Sequence, residues 1–267
     1  MNNAHDLLAQ LWEDYSSLIP QAKKIHTLLE QQGEKVINDH IALRTYNDPR
    51  IGIESLARYF EKYGYQANGD YEFTAKKLRA KHYEHQDKSL PLVFISELKT
   101  EEFSDELQDT VTQLIDQIPE NYYEREDFPC IGRPWELDYE TYRKLADESE
   151  YAGWVSAFGF RANHFTVYVN ALQSIHSIQE MNMFLKFNGY TLNTSGGEIK
   201  GSPEELLEQS STLADKVEVE FNDGGYVIPA CYYEFARRYP KKDGKIFTGF
   251  IAQSANRIFE STDRQQS

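Results

Sequence analysis

The chain has 267 residues, of which 28 are basic and 43 acidic, so its formal net charge is −15 at pH 7. A surface this anionic repels phosphate groups, and we therefore expect neither nucleic acid nor an anionic membrane as a partner. The hydrophobic fraction of 40%, with 13% aromatic residues, excludes a disordered or collagen-like polymer. Residues 1–18 lack the segments of a signal peptide, and no apolar stretch reaches the roughly 20 residues of a spanning helix, so we expect a cytoplasmic protein.

The first 34 residues predict a helical addition to the main fold. Apolar side chains recur at three- and four-residue steps over residues 7–19 and 22–29, which is typical of two amphipathic helices. Pro20 separates the two stretches, and Gly33 is a favourable residue just beyond the end of the second.

A strand with a polar face begins at Asp39. From there the pattern has a period of two, so His40, Ala42 and Arg44 fall on one face of the strand. A helical pattern follows and stops at Gly64-Tyr65.

The same order of elements recurs later in the chain. Residues 163–170 alternate with His164 on the polar face, residues 175–185 follow a helical pattern, and Gly189-Tyr190 ends it. The interval from the histidine to the tyrosine is 25 residues in the first copy and 26 in the second. We interpret this as an internal duplication.

Short strand patterns follow each copy, at 70–77 and 90–97 after the first and at 191–194, 216–221 and 226–235 after the second. Each copy therefore predicts a β-α-β-β-β module in an α+β fold. The predicted organisation is a helical addition at 1–34, a first module at 35–100, a bridge of helices and loop at 101–155, a second module at 156–240 and a C-terminal segment at 241–267, all within one compact unit.

Matching histidines in two copies of one unit predict a shared metal ion. A pseudo-two-fold arrangement would bring the strands of His40 and His164 side by side, and imidazoles of paired strands can bind one cation. Glu234 is the predicted third ligand, because an acid in an otherwise apolar strand is costly to bury unless a cation receives it. Two histidines and one carboxylate leave three positions open on an octahedral ion such as Fe(II).

Two further residues could complete the site. Glu97 ends the corresponding strand of the first copy and is a possible fourth ligand, which would suit a zinc- or nickel-dependent isomerase. Arg44 lies four residues after His40 on the same face, where its guanidinium could bind a substrate carboxylate with two hydrogen bonds. A salt bridge at the rim is the alternative role for Arg44.

The other patterns in the sequence give less evidence of function. His82 and His85 are three residues apart and could form a metal-binding pair on a helix, but the polar run around them predicts a solvated loop. The sequence contains no G-x-S-x-G, no Walker loop and no G-x-G-x-x-G, which argues against a serine hydrolase, a P-loop nucleotidase and a dinucleotide-binding enzyme.

The string Asn38-Asp-His-Ile-Ala-Leu-Arg44, together with His164 and the acidic strand around Glu234, resembles the family long called DUF1338. Its characterised bacterial members are 2-oxoadipate dioxygenase/decarboxylases, also called hydroxyglutarate synthases. The resemblance implies a vicinal-oxygen-chelate fold, in which paired modules form a half-open mixed sheet around a metal site.

The resemblance also implies roles for individual residues. His40, His164 and Glu234 would bind Fe(II), Arg44 would bind the substrate, and Ser254 in the C-terminal segment would contact it. The implied reaction uses dioxygen to decarboxylate and hydroxylate a 2-oxo diacid, which for 2-oxoadipate gives 2-hydroxyglutarate and CO2. Characterised members are longer, which leaves the identity of the 2-oxo acid open.

Two other classes remain open from the sequence. A zinc-type hydrolase or isomerase on the same fold would need Glu97 as a ligand or base and would not consume oxygen. A non-catalytic protein that binds a small molecule would tolerate the loss of His40 and Glu234. Because paired modules can close a cavity within one chain, we predict no obligate protein partner.

Overall fold

A computed structural model of the chain describes residues 3–251. Its helices are α1 (Ala4–Leu18), α2 (Pro20–Gln31), α3 (Ile53–Glu61), α4 (Asp105–Ile115), α5 (Tyr139–Glu148), α6 (Glu150–Phe158) and α7 (Ile178–Phe187). Its strands are β1 (Asn38–Tyr46), β2 (Gln66–Phe73), β3 (Leu78–Glu84), β4 (Leu92–Leu98), β5 (Ala162–Tyr168), β6 (Lys200–Ser202), β7 (Leu207–Ser211), β8 (Lys216–Phe221), β9 (Gly224–Pro229) and β10 (Glu234–Arg238). None of the described helices combines the length and apolarity needed to cross a membrane.

Eight strands form one mixed sheet in the order β2-β3-β4-β1-β5-β10-β7-β6. The two histidine strands, β1 and β5, pair antiparallel at its centre. Each of them also pairs with the last strand of its own module in parallel, β1 with β4 and β5 with β10. The two halves of the sheet therefore repeat one strand order outward from the centre, and the predicted α+β fold of paired modules around a half-open mixed sheet is confirmed.

The helices of the two modules pack in similar ways but begin differently. In α7 the Ser177 side chain accepts a hydrogen bond from the Glu180 N–H and caps the helix, whereas α3 follows Gly52, which has no side chain to cap it, and carries an acid in its first turn. Each helix buries its apolar stripe, with Leu56 and Phe60 on α3 and Met181 and Leu185 on α7. Both helices are amphipathic, with one apolar stripe and one polar face, which explains why both pack on the sheet in the same way.

The N-terminal helices cover the second module. Trp12 of α1 packs edge-to-face on Phe165 of β5 with ring centroids 5.1 Å apart. Tyr15 is fully buried, and its hydroxyl donates a 2.6 Å hydrogen bond to the carbonyl of Tyr232. The helical addition therefore fixes the chain that leads into β10.

The second module departs from the predicted strands. The predicted strand at 226–235 is wrong, because β8 and β9 form a separate two-stranded hairpin and β10 begins only at Glu234. The predicted strand at 191–194 is reduced to one bridge between Leu192 and Thr212. The outer strands of this half are β6 and β7. The residues of β7 are mostly polar yet buried, which period-two hydrophobicity cannot detect.

Candidate metal centre

Three side chains converge on the concave face at the centre of the sheet. The Nε2 atoms of His40 and His164 lie 3.4 and 3.3 Å from the two carboxylate oxygens of Glu234. One ligand atom from each residue lies within 4.8 Å of the other two, and all three residues are buried. Within residues 3–251 this is the one group of three or more histidine, cysteine or acidic residues with such geometry. The structure thus brings together the three residues predicted as ligands.

A bulge in β1 orients the first histidine. Asn38 and His40 pair with the consecutive residues Val167 and Thr166 of β5, so Asp39 is an extra residue in the ladder. Asp39 accepts a 2.7 Å hydrogen bond from Nδ1 of His40. The irregular backbone therefore lets two adjacent side chains meet, which a regular strand would direct to opposite faces.

A second bulge repeats this arrangement in β5. Ala42 and Leu43 pair with His164 and Ala162, so Asn163 is the extra residue on this strand. Nδ1 of His164 lies 2.9 Å from the side-chain oxygen of Asn163. In both modules an acceptor directly before the histidine takes the Nδ1 proton, which leaves the Nε2 lone pair directed at the centre.

Asp39 also belongs to a buried ion pair. Arg238 donates to both of its oxygens, at 2.7 and 2.8 Å, and to the backbone carbonyls of Phe247 and Gly249. Burial favours the protonated acid, but the Arg238 charge and the hydrogen bonds from His40 and Arg238 outweigh it and lower the pKa of Asp39. Asp39 is therefore a carboxylate, and Arg238 connects it to the C-terminal segment.

The electrostatics of the three residues favour a cation. Burial raises the pKa of Glu234 to about 6, although the neighbouring His40 opposes the shift. Burial lowers the pKa of His164, and the nearby His40 and Arg44 lower it further, so this imidazole is neutral. One oxygen of Glu234, Oε2, makes no hydrogen bond within the described part of the chain. Two imidazole nitrogens and a buried carboxylate oxygen fit a divalent cation that leaves positions open for other ligands.

Arg44 is buried and lies on the face of β1 that carries His40, as predicted. Its guanidinium lies over the rings of Tyr151 and Trp154, 5.1 and 5.2 Å from their centroids. It also lines a cavity of about 270 Å³ whose wall includes Lys76 and Lys77. Stacking on two aromatic rings holds the positive charge in place between the metal centre and this cavity.

Glu97 lies away from the metal centre. It pairs with Thr45 across β1 and β4, and its carboxylate accepts a 2.7 Å hydrogen bond from the N–H of Ile53 at the start of α3. Arg79 donates to its other oxygen. The structure therefore does not bring the predicted fourth ligand together with the other three, because its carboxylate caps a helix on the opposite face of the sheet.

Strand register identifies the residue that corresponds to Glu234 in the first module. Glu234 pairs with Thr166, two residues after His164, and Phe94 pairs with Ala42, two residues after His40. The first module thus presents a phenyl ring where the second presents a carboxylate.

The expectation of a solvated loop around His82 is wrong. His82 lies on β3, is 2% exposed and pairs with Phe94 of β4. Its Nδ1 lies 2.8 Å from the hydroxyl of Tyr71, which also accepts a 3.1 Å hydrogen bond from the N–H of Phe250. Alternation of polar side chains in this stretch is the signal for a strand that the overall polarity obscured.

The C-terminal segment covers the centre from the first module. The ring of Phe250 packs edge-to-face on His40, with centroids 4.8 Å apart, and at the same distance from the ring of Phe94. Phe250 thus packs the C-terminal segment against the core. Ser254, the predicted substrate contact, lies outside the described residues.

Sequence reasoning gave no role to three residues at the centre. Asp39 and Asn163 carry a recognisable signal, since each copy has an acid or amide directly before its histidine. Tyr232 lies two residues before Glu234, where a period of two would place both on one face. It is fully buried, its ring stacks on His164 with centroids 4.7 Å apart, and burial raises its pKa well above the usual range.

Comparisons with known proteins agree with this site. The family model for 2-oxoadipate dioxygenase/decarboxylase matches residues 3–125 and 133–245. The chloroplastic enzyme of that name from Arabidopsis thaliana is 34% identical over 97% of this chain and 77% of its own length. The crystal structure of hydroxyglutarate synthase from Oryza sativa in complex with 2-oxoadipate is similar at a TM-score of 0.89, with 33% identity over 98% of this chain and 92% of that one.

Two further structures bear on the fold. A candidate hydrolase from Shewanella frigidimarina is 52% identical and superposes with a TM-score of 0.91, covering 94% of this chain and 99% of that one. A candidate glyoxalase superfamily protein from Ralstonia eutropha, 21% identical over 91% of this chain and 84% of that one, has a TM-score of 0.76 and supports the paired-module fold alone. With the family model matching most of its length, this chain belongs to the 2-oxoadipate dioxygenase/decarboxylase family.

Proposed function

We propose that the protein is an Fe(II)-dependent enzyme that converts 2-oxoadipate and dioxygen into 2-hydroxyglutarate and CO2. The atoms balance, because the diacid loses its C1 carboxyl as CO2 while one oxygen atom enters the new carboxylate and the other the hydroxyl group. The observation that carries the proposal is the buried His40–His164–Glu234 group in a chain of this family.

The choice of iron rests on the chemistry of the donor set. Two imidazoles and one carboxylate on one face are typical of non-haem Fe(II) oxygenases, whereas structural zinc sites fill four positions with protein ligands. Fe(II) bound there would supply the redox chemistry that couples dioxygen to the decarboxylation. The chain supplies the ligands, their fixed tautomers and a buried setting.

Arg44 binds the far carboxylate of the diacid in this proposal. Its guanidinium is buried, always charged and held by two aromatic rings on the strand that carries His40. A diacid that approaches a chain of charge −15 needs such a local positive charge. Arg44 thereby fixes the length of the substrate and keeps its keto end at the metal centre.

Phe250 and Phe94 exclude water from the first-module side of the centre. The Phe250 ring packs on His40 and on the Phe94 ring, and neither ring offers a ligand atom. An apolar wall beside the open positions favours dioxygen over water and protects reactive species from hydrolysis.

The proposal is tested by loading the purified protein with Fe(II) under anaerobic conditions and then adding oxygen with 2-oxoadipate. We expect equimolar uptake of oxygen and release of CO2, and formation of 2-hydroxyglutarate carrying two labelled oxygen atoms when ¹⁸O2 is supplied. Uptake of oxygen that does not depend on the 2-oxo acid, or the absence of CO2, would contradict the proposal.

A hydrolase or isomerase is the second candidate, because the 52% identical Shewanella protein was solved as a candidate hydrolase. Such an enzyme would work with zinc and without oxygen. It would need Glu97 as a ligand or base, and the Glu97 carboxylate is bound at the start of α3. Turnover of the zinc-loaded protein in the absence of oxygen would favour this candidate.

A further inference from the structure

Tyr232 has a buried hydroxyl group whose proton meets no acceptor among the described residues, although the Arg44 guanidinium, which can only donate, lies beside its oxygen. The residue is fully buried, and its backbone is held because its carbonyl accepts the hydrogen bond from Tyr15. Its ring is held as well, stacked on His164 at an angle of 24° between the planes. Buried hydroxyl groups are nearly always paired, so a rigidly held exception beside a metal centre indicates that a ligand supplies the partner.

The strand register places Tyr232 between the metal centre and Arg44. Glu234 pairs with Thr166 in the parallel β5·β10 ladder, so Tyr232 comes level with His164 on the same side. On the other side of β5, Ala42 pairs with His164, and Arg44 follows two residues later on the same face. A substrate that extends from the histidines to Arg44 must therefore pass the Tyr232 ring.

We propose that the Tyr232 hydroxyl donates a hydrogen bond to the far carboxylate of the substrate, and so selects 2-oxo diacids over 2-oxo monoacids. This inference rests on the proposed function and names the group that sets its substrate class. A carboxylate can accept the two parallel bonds of a guanidinium and still accept a third from a phenol. An alkyl end in the same place would leave the buried hydroxyl unpaired.

The alternative is that the Tyr232 hydroxyl stabilises the fold. That role requires an acceptor for the hydroxyl proton in the folded protein, and none is found in the described part of the chain, since the neighbouring Arg44 can only donate. Tyr65 provides a matched control, because its hydroxyl is buried, donates a 2.9 Å hydrogen bond to the carbonyl of Pro91 and lies away from the metal centre. Tyr65→Phe should lower the Tm of the protein, whereas Tyr232→Phe should leave it unchanged or raise it.

The kinetic test compares 2-oxoadipate with 2-oxohexanoate, which has the same six-carbon chain and a methyl group in place of the far carboxylate. We expect Tyr232→Phe to lower kcat/KM for 2-oxoadipate roughly 10- to 100-fold, the range for losing a hydrogen bond to a charged group. The value for 2-oxohexanoate should change by less than about twofold, and the iron content should match that of the wild type. Equal losses for both acids, or an unchanged preference, would overturn the proposal.

Binding separates this inference from the proposed function. If the wild type consumes no oxygen with any 2-oxo acid, the proposed reaction is wrong, and the role of Tyr232 is then decided by calorimetric titration of the zinc-loaded protein with the same two acids. Weaker binding of 2-oxoadipate alone in Tyr232→Phe supports the carboxylate site. The same affinity in both proteins, or no binding of 2-oxoadipate to the wild type, overturns it.

Discussion

The two modules carry the same histidine in the same setting but surround it differently. His40 and His164 each follow a bulged residue whose side chain accepts the Nδ1 proton. In the first module this residue is Asp39, a carboxylate paired with a buried arginine, and in the second it is the neutral Asn163. The two modules therefore share the scaffold and the paired imidazoles and differ in the charge beside each histidine.

The second difference concerns the strand that closes each module. The second module offers Glu234 to the centre, and the first offers Phe94 at the corresponding register position. A carboxylate at both positions would give four protein ligands and a filled site. The phenyl ring offers no ligand atom, so the metal would have no protein ligand from this strand on the first-module side, where Phe250 and Arg44 also lie. In the proposed enzyme, the second module would supply two of the three metal ligands, and the first would supply Arg44 for the substrate carboxylate.

The largest effect should come from removing the carboxylate of the second module. Glu234→Gln keeps the shape and the contact with Gln209 but loses the negative charge. We expect the purified variant to lose its metal by elemental analysis. Oxygen uptake should fall on the order of 1000-fold, since a bound metal ion is worth several kcal/mol of transition-state stabilisation.

Phe94→Leu at the corresponding position is the matched control and should retain its metal. Near-stoichiometric metal in Glu234→Gln would show that the carboxylate is not a ligand and would remove the asymmetry between the modules.

The next effect should come from Arg44, the residue that has no cationic counterpart in the second module, where Tyr168 lies four residues after His164. Arg44→Ala should lower kcat/KM for 2-oxoadipate about 100-fold, because two charge-assisted hydrogen bonds are lost. A rise in KM with unchanged metal content would assign Arg44 to the substrate. Loss of iron from the variant would instead make its role structural.

The acceptors before the two histidines should contribute differently to the free energy of unfolding. Asp39→Asn makes the first module resemble the second, and we expect metal affinity to fall roughly 10- to 100-fold in a chelator competition assay. The change also leaves Arg238 buried without its carboxylate, so the free energy of unfolding should fall by about 3 kcal/mol or more.

Asn163→Ala is the comparison variant. It removes a neutral acceptor with no buried ion pair, so metal affinity should fall by a similar factor with a smaller loss of stability. Equal losses of stability in the two variants would contradict the charge asymmetry between the modules.

The smallest effect on the metal should come from Glu97. Glu97→Gln keeps an acceptor for the Ile53 N–H, and metal content and oxygen uptake should equal those of the wild type. Loss of metal in this variant would restore Glu97 as a fourth ligand.

Glu97 should nevertheless affect how stability depends on pH. Burial raises its pKa despite the opposing Ile53 N–H and Arg79. A carboxyl whose folded pKa lies above its unfolded value favours folding at low pH and loses that contribution as pH rises through the folded pKa. Denaturation curves should therefore show the wild type losing stability relative to Glu97→Gln as the pH rises.

Much of this architecture could be predicted because the duplicated units follow simple periods. The strand at His40, the helix after it and their second copies show regular alternation or helical stripes, and both histidines lie on them. The face of Glu234 could be predicted for the same reason, although its strand begins later than expected.

The remaining features depend on contacts that sequence patterns do not contain. β7 is buried yet polar, and the hairpin of β8 and β9 leaves the sheet, so only tertiary packing decides which segment pairs with β10. The bulges at Asp39 and Asn163 arise from register, which has no local signal. Glu97 was considered as a ligand because its position on a strand does not show which face of the sheet its carboxylate occupies. That face is decided by the register of β4 against β1, which pairs Glu97 with Thr45.

The most direct test is anomalous X-ray scattering at the iron edge from crystals loaded anaerobically with Fe(II). We expect a single strong peak per chain, bounded by Nε2 of His40, Nε2 of His164 and the carboxylate of Glu234. A peak at another position, or none at this one while the protein retains stoichiometric iron, would contradict the account.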